Sequence, residues 1–600
     1  MAVVTTIPDD LDIDVEALAR KYAEEREKRL RGDGLGQYSH MEGEFAWLGS
    51  DPRADPDFTR DPIVRDADVL LIGGGFAGLL AGGRLRERGV EDILIVERGA
   101  DFGGAWYWNR YPGAACDVES YIYMPLIEEI GYIPTEKYAK ATEIFEYCKT
   151  LARHYDLYPA ALFQTTVEEV RWDADRKRWI VTTDRGDAIA ARFVMIGNGL
   201  LTNPKLPGIP GILDYKGKSF HTSRWDYDYT GGSQTEPMVN LADKTVGIIG
   251  TGATAVQAIP ELAKVAKRLY VFQRTPSSID ERANEPTPPD FAETREPGWA
   301  RRRRDNFSNI VAGGHEDVDL VADGWTDISK HIGAATGGKM KHTTMEDLQR
   351  AQMAKMEMTR RRVEALVDDP ATAEALKPWY NYFCKRPCFH DEYLPSFNRP
   401  NVTLVDTKGK GVERITAKGP VVAGKEYPVD LLIYATGFDM NTGIEAETGI
   451  RFIGPDGKTL TEHWKDGLRT LYGIQTRGMP NLFIMNLLQA GVSVNYVHIA
   501  DEQTINIAYI IARCLKEDVV MVQPTAEAEE AWVNEIRDSL KARASMPDTC
   551  TPGQYNAEGR PVAGSGQNGS YMKGPIAYIE LLDKWREDGS MPGLELVREE

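Results

Sequence analysis

Apolar runs alternate with glycine turns and amphipathic stretches through most of the chain. Ala67–Ile72 is an apolar run suited to a buried strand, Gly78–Gly89 predicts a helix, and Asp92–Glu97 predicts the next strand. The same order begins again at Thr245–Gly250 and reaches its second strand at Leu269–Gln273. Two strand–turn–helix–strand units of this kind predict an α/β fold with two Rossmann-like, doubly wound dinucleotide-binding domains.

Further elements are predicted around these two units. Residues 167–183 alternate like a small β-ribbon, Phe193–Gly197 predicts another parallel strand, and strand patterns return at Val402–Val405 and Leu431–Ala435. Residues 280–378 are rich in Arg, Glu, Met and Gly and carry a long helical pattern, which predicts a helical insertion. We expect the basic runs of this insertion to be solvated helix faces, at Arg301–Arg304 and Arg360–Arg362.

Composition and charge exclude several functions. Apolar residues make up 42% and charged residues 27% of the 600 residues, as in ordinary globular proteins, and the formal net charge is −20. We therefore expect no binding to nucleic acid or to anionic membrane surfaces. The longest uncharged stretch, Gly478–Ala500, contains several polar side chains, so no membrane span is predicted. The N-terminus lacks a basic region, so no signal peptide is predicted.

The six cysteines are scattered, at positions 116, 148, 384, 388, 514 and 550. They are too few for a disulfide scaffold, so we expect reduced thiols in a cytoplasmic protein. Cys384 and Cys388 have the i,i+4 spacing of a metal-binding pair, but Lys385 and Arg386 between them disfavour a bound cation. No metal site is predicted.

Gly73, Gly75 and Gly78 form a GxGxxG fingerprint between the first strand and its helix. Gly73 permits a tight turn, Gly75 lets the backbone approach a pyrophosphate, and Gly78 lets the helix pack closely on the strand. The N–H groups and the dipole at the helix start favour phosphate groups. Glu97 follows Gly73 by 24 residues and can accept hydrogen bonds from an adenosine ribose.

Gly250, Gly252 and Ala255 form a second fingerprint, with alanine at the third position, which the motif tolerates. Arg274 follows Gly250 by 24 residues, the offset at which the first unit has Glu97. A carboxylate at this position repels a 2′-phosphate, whereas a guanidinium binds it. The residues therefore predict FAD or NAD at the first site and NADP at the second, as in a flavoprotein reduced by NADPH.

Three further motifs carry a resemblance to one enzyme family. Residues 215–226 (YKGKSFHTSRWD) resemble the FxGxxxHxxxW[P/D] signature of single-component, FAD-containing Baeyer–Villiger monooxygenases, with Tyr in place of the first Phe. Residues 104–117 are similar to the family's GxWxxxx[FY]PGxxxD run, and Ala435–Phe438 is similar to a turn found across flavin monooxygenases. The resemblance covers about residues 65–560. The residues that match the linker signature are Tyr215, Gly217, His221, Trp225 and Asp226.

This resemblance implies an enzyme that uses FAD, NADPH and O₂. In the family, the reduced flavin captures O₂ as a C4a-peroxide, which attacks a ketone carbonyl and inserts one oxygen, so that an ester or lactone forms together with water. The N-terminal extension and residues 550–556 (CTPGQYN) are similar to the larger members, which accept macrocyclic or polycyclic ketones. Bulky cyclic ketones are therefore the expected substrates.

The resemblance also assigns catalytic roles. Arg386, the second residue of a Lys–Arg pair, is expected to stabilise the anionic peroxide, and Asp117 is expected to be the carboxylate that pairs with it. A bare peroxide on a flavin needs a fixed positive charge and little water around it. His221 is expected to be a structural residue of the linker rather than a general base.

The remaining assigned residues are expected to bind the cofactors. Lys385 is expected to add a second contact to the 2′-phosphate of NADP beside Arg274, and Thr275 is placed in the same site. Gly104 and Trp106, which begin the run at residues 104–117, are placed in the FAD site.

Three alternatives stay open at this point. An N- or S-oxygenating flavin-containing monooxygenase shares the two fingerprints and a variant of the linker signature, but lacks the Lys–Arg pair and the 104–117 run. A flavin disulfide reductase needs a redox-active CxxC, which the sequence does not contain. A non-catalytic flavin-binding sensor or scaffold is disfavoured by Asp117, Lys385 and Arg386.

These observations divide the chain into four parts. We expect an N-terminal extension, an FAD-binding domain in two segments and an NADP-binding domain between them, with boundaries at 1–64, 65–205, 206–434 and 435–600. The extension carries a helical pattern at Ala17–Arg31, and the last part contains a glycine-rich stretch, Gly559–Gly574, that suggests a mobile loop. We expect a monomer or small homo-oligomer whose partners are a small-molecule ketone and O₂.

Overall fold

The computed structural model describes residues 13–291, 295–335, 345–440, 443–541, 550–560 and 567–599. Within these ranges the chain forms two large sheets with parallel strands, each packed against helices, together with four small sheets. The predicted α/β class with two Rossmann-like units is confirmed.

The first large sheet has eight strands. One of its central strands, Val64–Ile72, ends directly before the first fingerprint. Its central strands are buried on both faces, which explains their continuous apolar runs. The ribbon predicted over residues 167–183 is present and extends this sheet. The strand order is Arg451–Ile453, Val167–Asp173, Arg178–Thr183, Ala188–Ile196, Val64–Ile72, Ile93–Val96 and Ala161–Leu162, with Leu482–Ile484 beside the end of Ala188–Ile196.

The second large sheet has five strands, all of them parallel. Its central strand, Thr245–Ile249, ends directly before the second fingerprint. Its edge strand Lys218–His221 contains part of the linker signature and pairs with Leu431–Tyr434. The signature therefore belongs to the scaffold of this sheet. The strand order is Val402–Asp406, Arg268–Gln273, Thr245–Ile249, Leu431–Tyr434 and Lys218–His221.

Four small sheets join the segments that surround these two. They consist of Tyr38–His40 with Asn203–Pro207 and Phe438–Asp439; Ile279–Asp280 with Cys388–Phe389; Arg414–Ile415 with Pro420–Val422 and Lys425–Glu426; and Val519–Pro524 with Leu594–Arg598. The strand Tyr38–His40 ties the N-terminal extension to the rest of the fold.

Helices cover the faces of both large sheets. Phe76–Glu87 begins at the first fingerprint and packs against Tyr496–Lys516, and Ala253–Val265 begins at the second. Within the described ranges, no helix is long and apolar enough to cross a membrane. The longer helices are Val15–Glu27, Phe76–Glu87, Ala141–His154, Ala253–Val265, Trp299–Val311, Gly324–Ala335, Met345–Leu366, Pro370–Leu376, Tyr496–Lys516, Ala526–Lys541 and Pro575–Asp588.

The region predicted as a helical insertion contains the helices Trp299–Val311, Gly324–Ala335, Met345–Leu366 and Pro370–Leu376. Its basic runs are solvated only in part: Arg301, Arg302 and Arg361 are exposed, whereas Arg303, Arg304 and Arg360 are not. Arg303 donates two hydrogen bonds of 2.6 Å to the buried carboxylate of Glu119, and Arg304 donates one of 3.0 Å to the buried Asp501. Arg360 is 2% exposed. The prediction was wrong for these arginines because acids from distant segments neutralise the first two, whereas local sequence shows only near neighbours.

The expectation that all six cysteines are reduced is also wrong. A disulfide joins Cys384 to Cys550, and Cys116, Cys148, Cys388 and Cys514 are free and buried. The bond connects positions 166 residues apart, so neither the cysteine count nor their spacing indicates it. It attaches the segment that begins at Cys550 to the Lys385–Arg386 pair. The predicted mobile stretch Gly559–Gly574 lies partly outside the described residues, at 561–566.

Candidate active site

One cavity of about 1110 Å³ opens at the carboxyl ends of the two large sheets. Its wall includes Gly73 and Glu97 from the first unit and Gly250 and Arg274 from the second. Open α/β sheets bind their ligands at this edge. The two predicted nucleotide sites therefore share a single cavity.

The first fingerprint has the close approaches that only glycine allows. Gly73 has a φ of +105°, and a Cβ there would lie 2.7 Å from the carbonyl oxygen of Gly197. A Cβ on Gly78 would lie 1.9 Å from the carbonyl oxygen of Gly73. Gly104 comes equally near to Gly75, because a Cβ on Gly104 would lie 2.7 Å from the Cα of Gly75. The turn forms a cradle of bare backbone at the start of a helix, which fits a pyrophosphate.

Glu97 and Trp106 line the cavity beside this cradle. The Glu97 carboxylate accepts hydrogen bonds of 2.6 Å from the backbone N–H groups of Gly74 and Gly99. Burial raises the pKa of this carboxyl, and the two hydrogen bonds oppose the rise. The Trp106 indole N–H donates to the hydroxyl of Tyr123 at 3.0 Å, which fixes the ring. The ribose-binding role of Glu97 stays a prediction.

The second fingerprint is tight at its first glycine and open at its second. Gly250 has a φ of +120°, and a Cβ there would lie 2.3 Å from the carbonyl oxygen of Ala435. A Cβ on Gly252 would meet no atom within 4 Å, although Gly252 lines the cavity. Ala255 is fully buried in the helix that follows. Backbone at Gly252 is thus accessible from the cavity, as a bound pyrophosphate requires.

Lys385 and Thr275 lie in the cavity wall with Arg274. Burial and the positive charge of Arg274 lower the pKa of Lys385 to about 8. In the described part of the chain, the Lys385 ammonium has no ion-pair partner, and the buried hydroxyl of Thr275 has no hydrogen-bond partner. An ammonium without an ion pair and a buried hydroxyl without a partner, beside a guanidinium, fit a phosphate group.

Arg386 and Asp117 form a bidentate ion pair in the same wall. Arg386 donates from Nε to Oδ2 at 3.0 Å and from Nη2 to Oδ1 at 2.6 Å. Trp325 of the insertion donates its indole N–H to the Asp117 carbonyl at 2.8 Å, and its ring centre lies 4.9 Å from the Arg386 guanidinium carbon. Burial opposes the charge on Arg386, but Asp117 outweighs it and raises the pKa of the guanidinium. Arg386 is therefore a permanent, oriented cation.

The linker-signature residues lie behind the cavity rather than in its wall. His221 is fully buried, and its Nδ1 lies 2.8 Å from the hydroxyl of Ser223. Burial and the charge of Arg224 lower the pKa of His221 to about 3, so the ring stays neutral. This geometry suits a structural residue better than a general base.

The other signature residues hold local turns. A Cβ on Gly217 would lie 2.2 Å from the Tyr215 hydroxyl, which itself donates to the carbonyl of Val429 at 2.9 Å. Asp226 caps the short helix Tyr227–Thr230 through the N–H of Tyr229 at 2.9 Å. Trp225 is 1% exposed and packs in the core of this unit.

Several cavity residues were missed by the sequence analysis. Gln37 and Tyr38 of the extension contact Arg274 or its partner, and Glu558 and Tyr555 reach the cavity from near the C-terminus. Gln37, Tyr38 and Glu558 belong to no motif, and Tyr555 lies in the segment 550–556, whose resemblance carried no assignment to the cavity. Within the described ranges, no cluster of three or more His, Cys, Asp or Glu side chains is arranged to hold a metal ion.

Comparison with known proteins agrees with this site. A family described as pyridine nucleotide-disulphide oxidoreductase matches residues 70–346, a range that excludes both cysteines of the disulfide. A Baeyer–Villiger monooxygenase of Stachybotrys chlorohalonatus is 47% identical over 595 residues, which cover 98% of this chain and 95% of that protein. The chain belongs to the Baeyer–Villiger monooxygenase family.

Two further similarities support this membership. Neopentalenolactone D synthase of Streptomyces avermitilis is 48% identical over 591 residues, covering 97% of this chain and 99% of that protein. The solved polycyclic ketone monooxygenase from Thermothelomyces thermophila superposes with a TM-score of 0.89 at 38% identity, over 97% of this chain and 99% of that one. Membership of the Baeyer–Villiger monooxygenases favours oxygen insertion beside a carbonyl over N- or S-oxygenation.

Proposed function

We propose that this protein uses NADPH and O₂ to insert one oxygen atom beside the carbonyl of a bulky cyclic ketone, giving an ester or lactone and water. FAD and NADPH are its cofactors. The observation that carries the proposal is the Arg386–Asp117 pair, which lies in the wall of the cavity that both nucleotide fingerprints share. An oriented cation beside two cofactor sites suits oxygen chemistry in which negative charge develops on oxygen.

FAD would be held at the first fingerprint. Gly73, Gly75 and Gly104 offer bare backbone to the pyrophosphate, and Glu97 would accept hydrogen bonds from the ribose. Trp106 forms a fixed aromatic wall beside this turn. When bound and reduced, FAD supplies the electrons that activate O₂.

NADPH would be held at the second fingerprint. Gly250 and Gly252 would face the pyrophosphate, and Arg274, Lys385 and Thr275 would bind the 2′-phosphate. The open space at Gly252 and the unpartnered hydroxyl of Thr275 support this assignment.

Arg386 would stabilise the negative charge that develops on the reacting oxygen. Its charge is permanent, so no proton has to move before it acts. Asp117 fixes the plane of the guanidinium through two hydrogen bonds, and the Trp325 ring packs against the guanidinium. Fixed charges act more strongly where water is excluded, because little reorganisation is needed during the reaction.

The organisation of the whole chain follows as part of the proposal. Residues 65–205 and 435–600 would form the FAD-binding domain, residues 206–434 the NADP-binding domain with the insertion at 280–378, and residues 1–64 the extension. We place the protein in the cytoplasm as a monomer or small homo-oligomer.

A ketone panel tests the proposal. Purified FAD-loaded protein is given NADPH with small cyclic, aryl, macrocyclic and steroid ketones, and product mass is recorded. We expect ketone-dependent NADPH oxidation and a product one oxygen heavier, with the chemical shifts of an ester. NADPH consumption that yields only H₂O₂ with every ketone, and oxygenated products with amines or sulfides, would overturn the proposal.

A further inference from the structure

Arg274, the cation assigned to the 2′-phosphate, forms an ion pair with the carboxylate of Glu558. Its Nη2 lies 3.1 Å from Oε2 of Glu558, and its Nη1 donates to the side-chain oxygen of Gln37 at 2.5 Å. The other oxygen of Glu558 accepts a hydrogen bond of 2.8 Å from the hydroxyl of Tyr38. Glu558 is 2% exposed, so water screens this ion pair much less than it screens a surface pair.

The surroundings of Glu558 are cationic. Lys385 and Lys205 both interact electrostatically with its carboxylate and with Arg274, and Asp439 is a second acid near Lys205. Within the described ranges, neither lysine forms an ion pair. In this part of the cavity wall the three cations Arg274, Lys385 and Lys205 therefore outnumber the two acids Glu558 and Asp439.

Glu558 reaches this position from the C-terminal segment 550–560, which the disulfide at Cys550 attaches beside Lys385. Ala557 and Glu558 have φ values of +48° and +59°, in the left-handed region that non-glycine residues rarely adopt. The contacts with Arg274 and Tyr38 thus hold a turn whose backbone is strained. Release of the carboxylate would relieve that strain.

We propose that Glu558 is an internal competitor of the coenzyme's 2′-phosphate, holding Arg274 in the coenzyme-free protein and leaving it when NADPH binds. The proposal rests on the assignment of NADPH to the second fingerprint. NADH carries no phosphate at this position, and its 2′-hydroxyl can donate a hydrogen bond to a carboxylate. Glu558 therefore weakens NADPH binding without weakening NADH binding, and so reduces the preference for NADPH that Arg274 provides.

The test compares equilibrium binding of NADP⁺ and NAD⁺ to the FAD-loaded protein at pH 7, by titration calorimetry. Glu558→Gln keeps the size of the side chain and one accepting oxygen, and removes its charge. Because charged hydrogen bonds contribute strongly, we expect its Kd for NADP⁺ to fall about tenfold while its Kd for NAD⁺ changes less than twofold. Unchanged FAD content and Tm would show that the variant is folded.

Glu413→Gln is the matched control, because Glu413 lines the same cavity without contacting Arg274. It makes the same change in charge, and we expect it to alter neither Kd by more than twofold. The proposal would be overturned if Glu558→Gln binds NADP⁺ no more tightly than the native protein does. It would also be overturned if the affinity for NAD⁺ rises by the same factor as the affinity for NADP⁺.

Arg274→Ala separates this proposal from the one on which it rests. We expect Arg274→Ala to weaken NADP⁺ binding ten- to a hundredfold. Because the two side chains act as one pair, we expect the double variant Arg274→Ala/Glu558→Gln to bind NADP⁺ no more tightly than Arg274→Ala alone. If Arg274→Ala leaves the NADP⁺ preference intact, the assignment of the second fingerprint fails and the competitor role fails with it. If Arg274→Ala weakens NADP⁺ binding and Glu558→Gln does not strengthen it, only the competitor role fails.

Discussion

Arg386 donates hydrogen bonds from Nε and Nη2 to the two carboxylate oxygens of Asp117, although 269 residues separate them in the chain. One partner follows the first nucleotide-binding unit, and the other follows the helical insertion. Trp325 of that insertion contacts both. The pair therefore joins three separate segments at the cavity, and its geometry depends on all of them.

Arg386→Ala should abolish oxygen insertion while leaving the cofactor sites filled. Loss of one fixed charge-stabilising donor costs roughly a hundred- to a thousandfold in rate, so ester formation should fall by at least that factor. NADPH oxidation should continue in part and yield H₂O₂. Product and H₂O₂ are measured together, with Arg176→Ala, whose ion pair with Asp66 is exposed, as the control.

Asp117→Asn should give a smaller loss of the same kind. Asparagine keeps the size of the side chain but accepts from Arg386 through one oxygen, so the guanidinium loses its fixed plane. We expect the product formed per NADPH to fall about tenfold or more, with FAD content unchanged. If the variant forms as much product per NADPH as the native protein does, Asp117 does not position Arg386.

Gly252→Ala should weaken NADP⁺ binding without harming the fold. A Cβ there meets nothing within 4 Å, so the methyl group would fill only the space assigned to the coenzyme. Overpacking by one methyl group predicts roughly a ten- to a hundredfold loss of affinity, with unchanged FAD content and Tm. Gly250→Ala is the contrasting variant, because its Cβ would lie 2.3 Å from a carbonyl oxygen and should destabilise the protein.

NADP⁺ binding should weaken as the pH rises through about 8, the lowered pKa of Lys385. The charged ammonium binds the phosphate, and the bound phosphate raises the pKa, so its contribution is complete below pH 8 and is lost above it. The Kd for NADP⁺ should rise up to about tenfold between pH 7 and 9, while the Kd for NAD⁺ stays nearly constant. Lys385→Met should remove the pH dependence; a slope that survives this substitution assigns the titration to another group.

The disulfide should appear as a deficit of free thiols and a gain in stability. Alkylation of the denatured, unreduced protein should modify four cysteines, and all six after reduction. Cys550→Ser should lower the free energy of unfolding by about 2–4 kcal/mol, and a reductant should lower the Tm of the native protein but not of this variant. Six modified thiols without reduction would contradict the bond.

The sequence predicted the parts of the site that depend on local pattern. The two fingerprints could be placed because apolar strands and glycine turns at Gly73 and Gly250 leave a recognisable order along the chain. The residue type at the common offset, Glu97 or Arg274, then predicts which nucleotide each unit binds. The Arg386–Asp117 pair was expected only through resemblance to a family.

Contacts between distant segments could not be predicted. Glu558 lies 284 residues from Arg274, and Cys550 lies 166 residues from Cys384. Residue spacing indicates neither pair, because each joins segments that lie far apart in the chain. The same reason explains why Arg303 was taken for a solvated residue, since its partner Glu119 is 184 residues away.

Isotope labelling tests the central claim most directly. The native protein and Arg386→Ala are each incubated with NADPH, a polycyclic ketone and ¹⁸O₂, and the product is analysed by mass spectrometry. We predict a lactone that carries one ¹⁸O atom from the native protein and no lactone from the variant, which still oxidises NADPH. A product without the label, or equal labelled product from both proteins, would contradict the account.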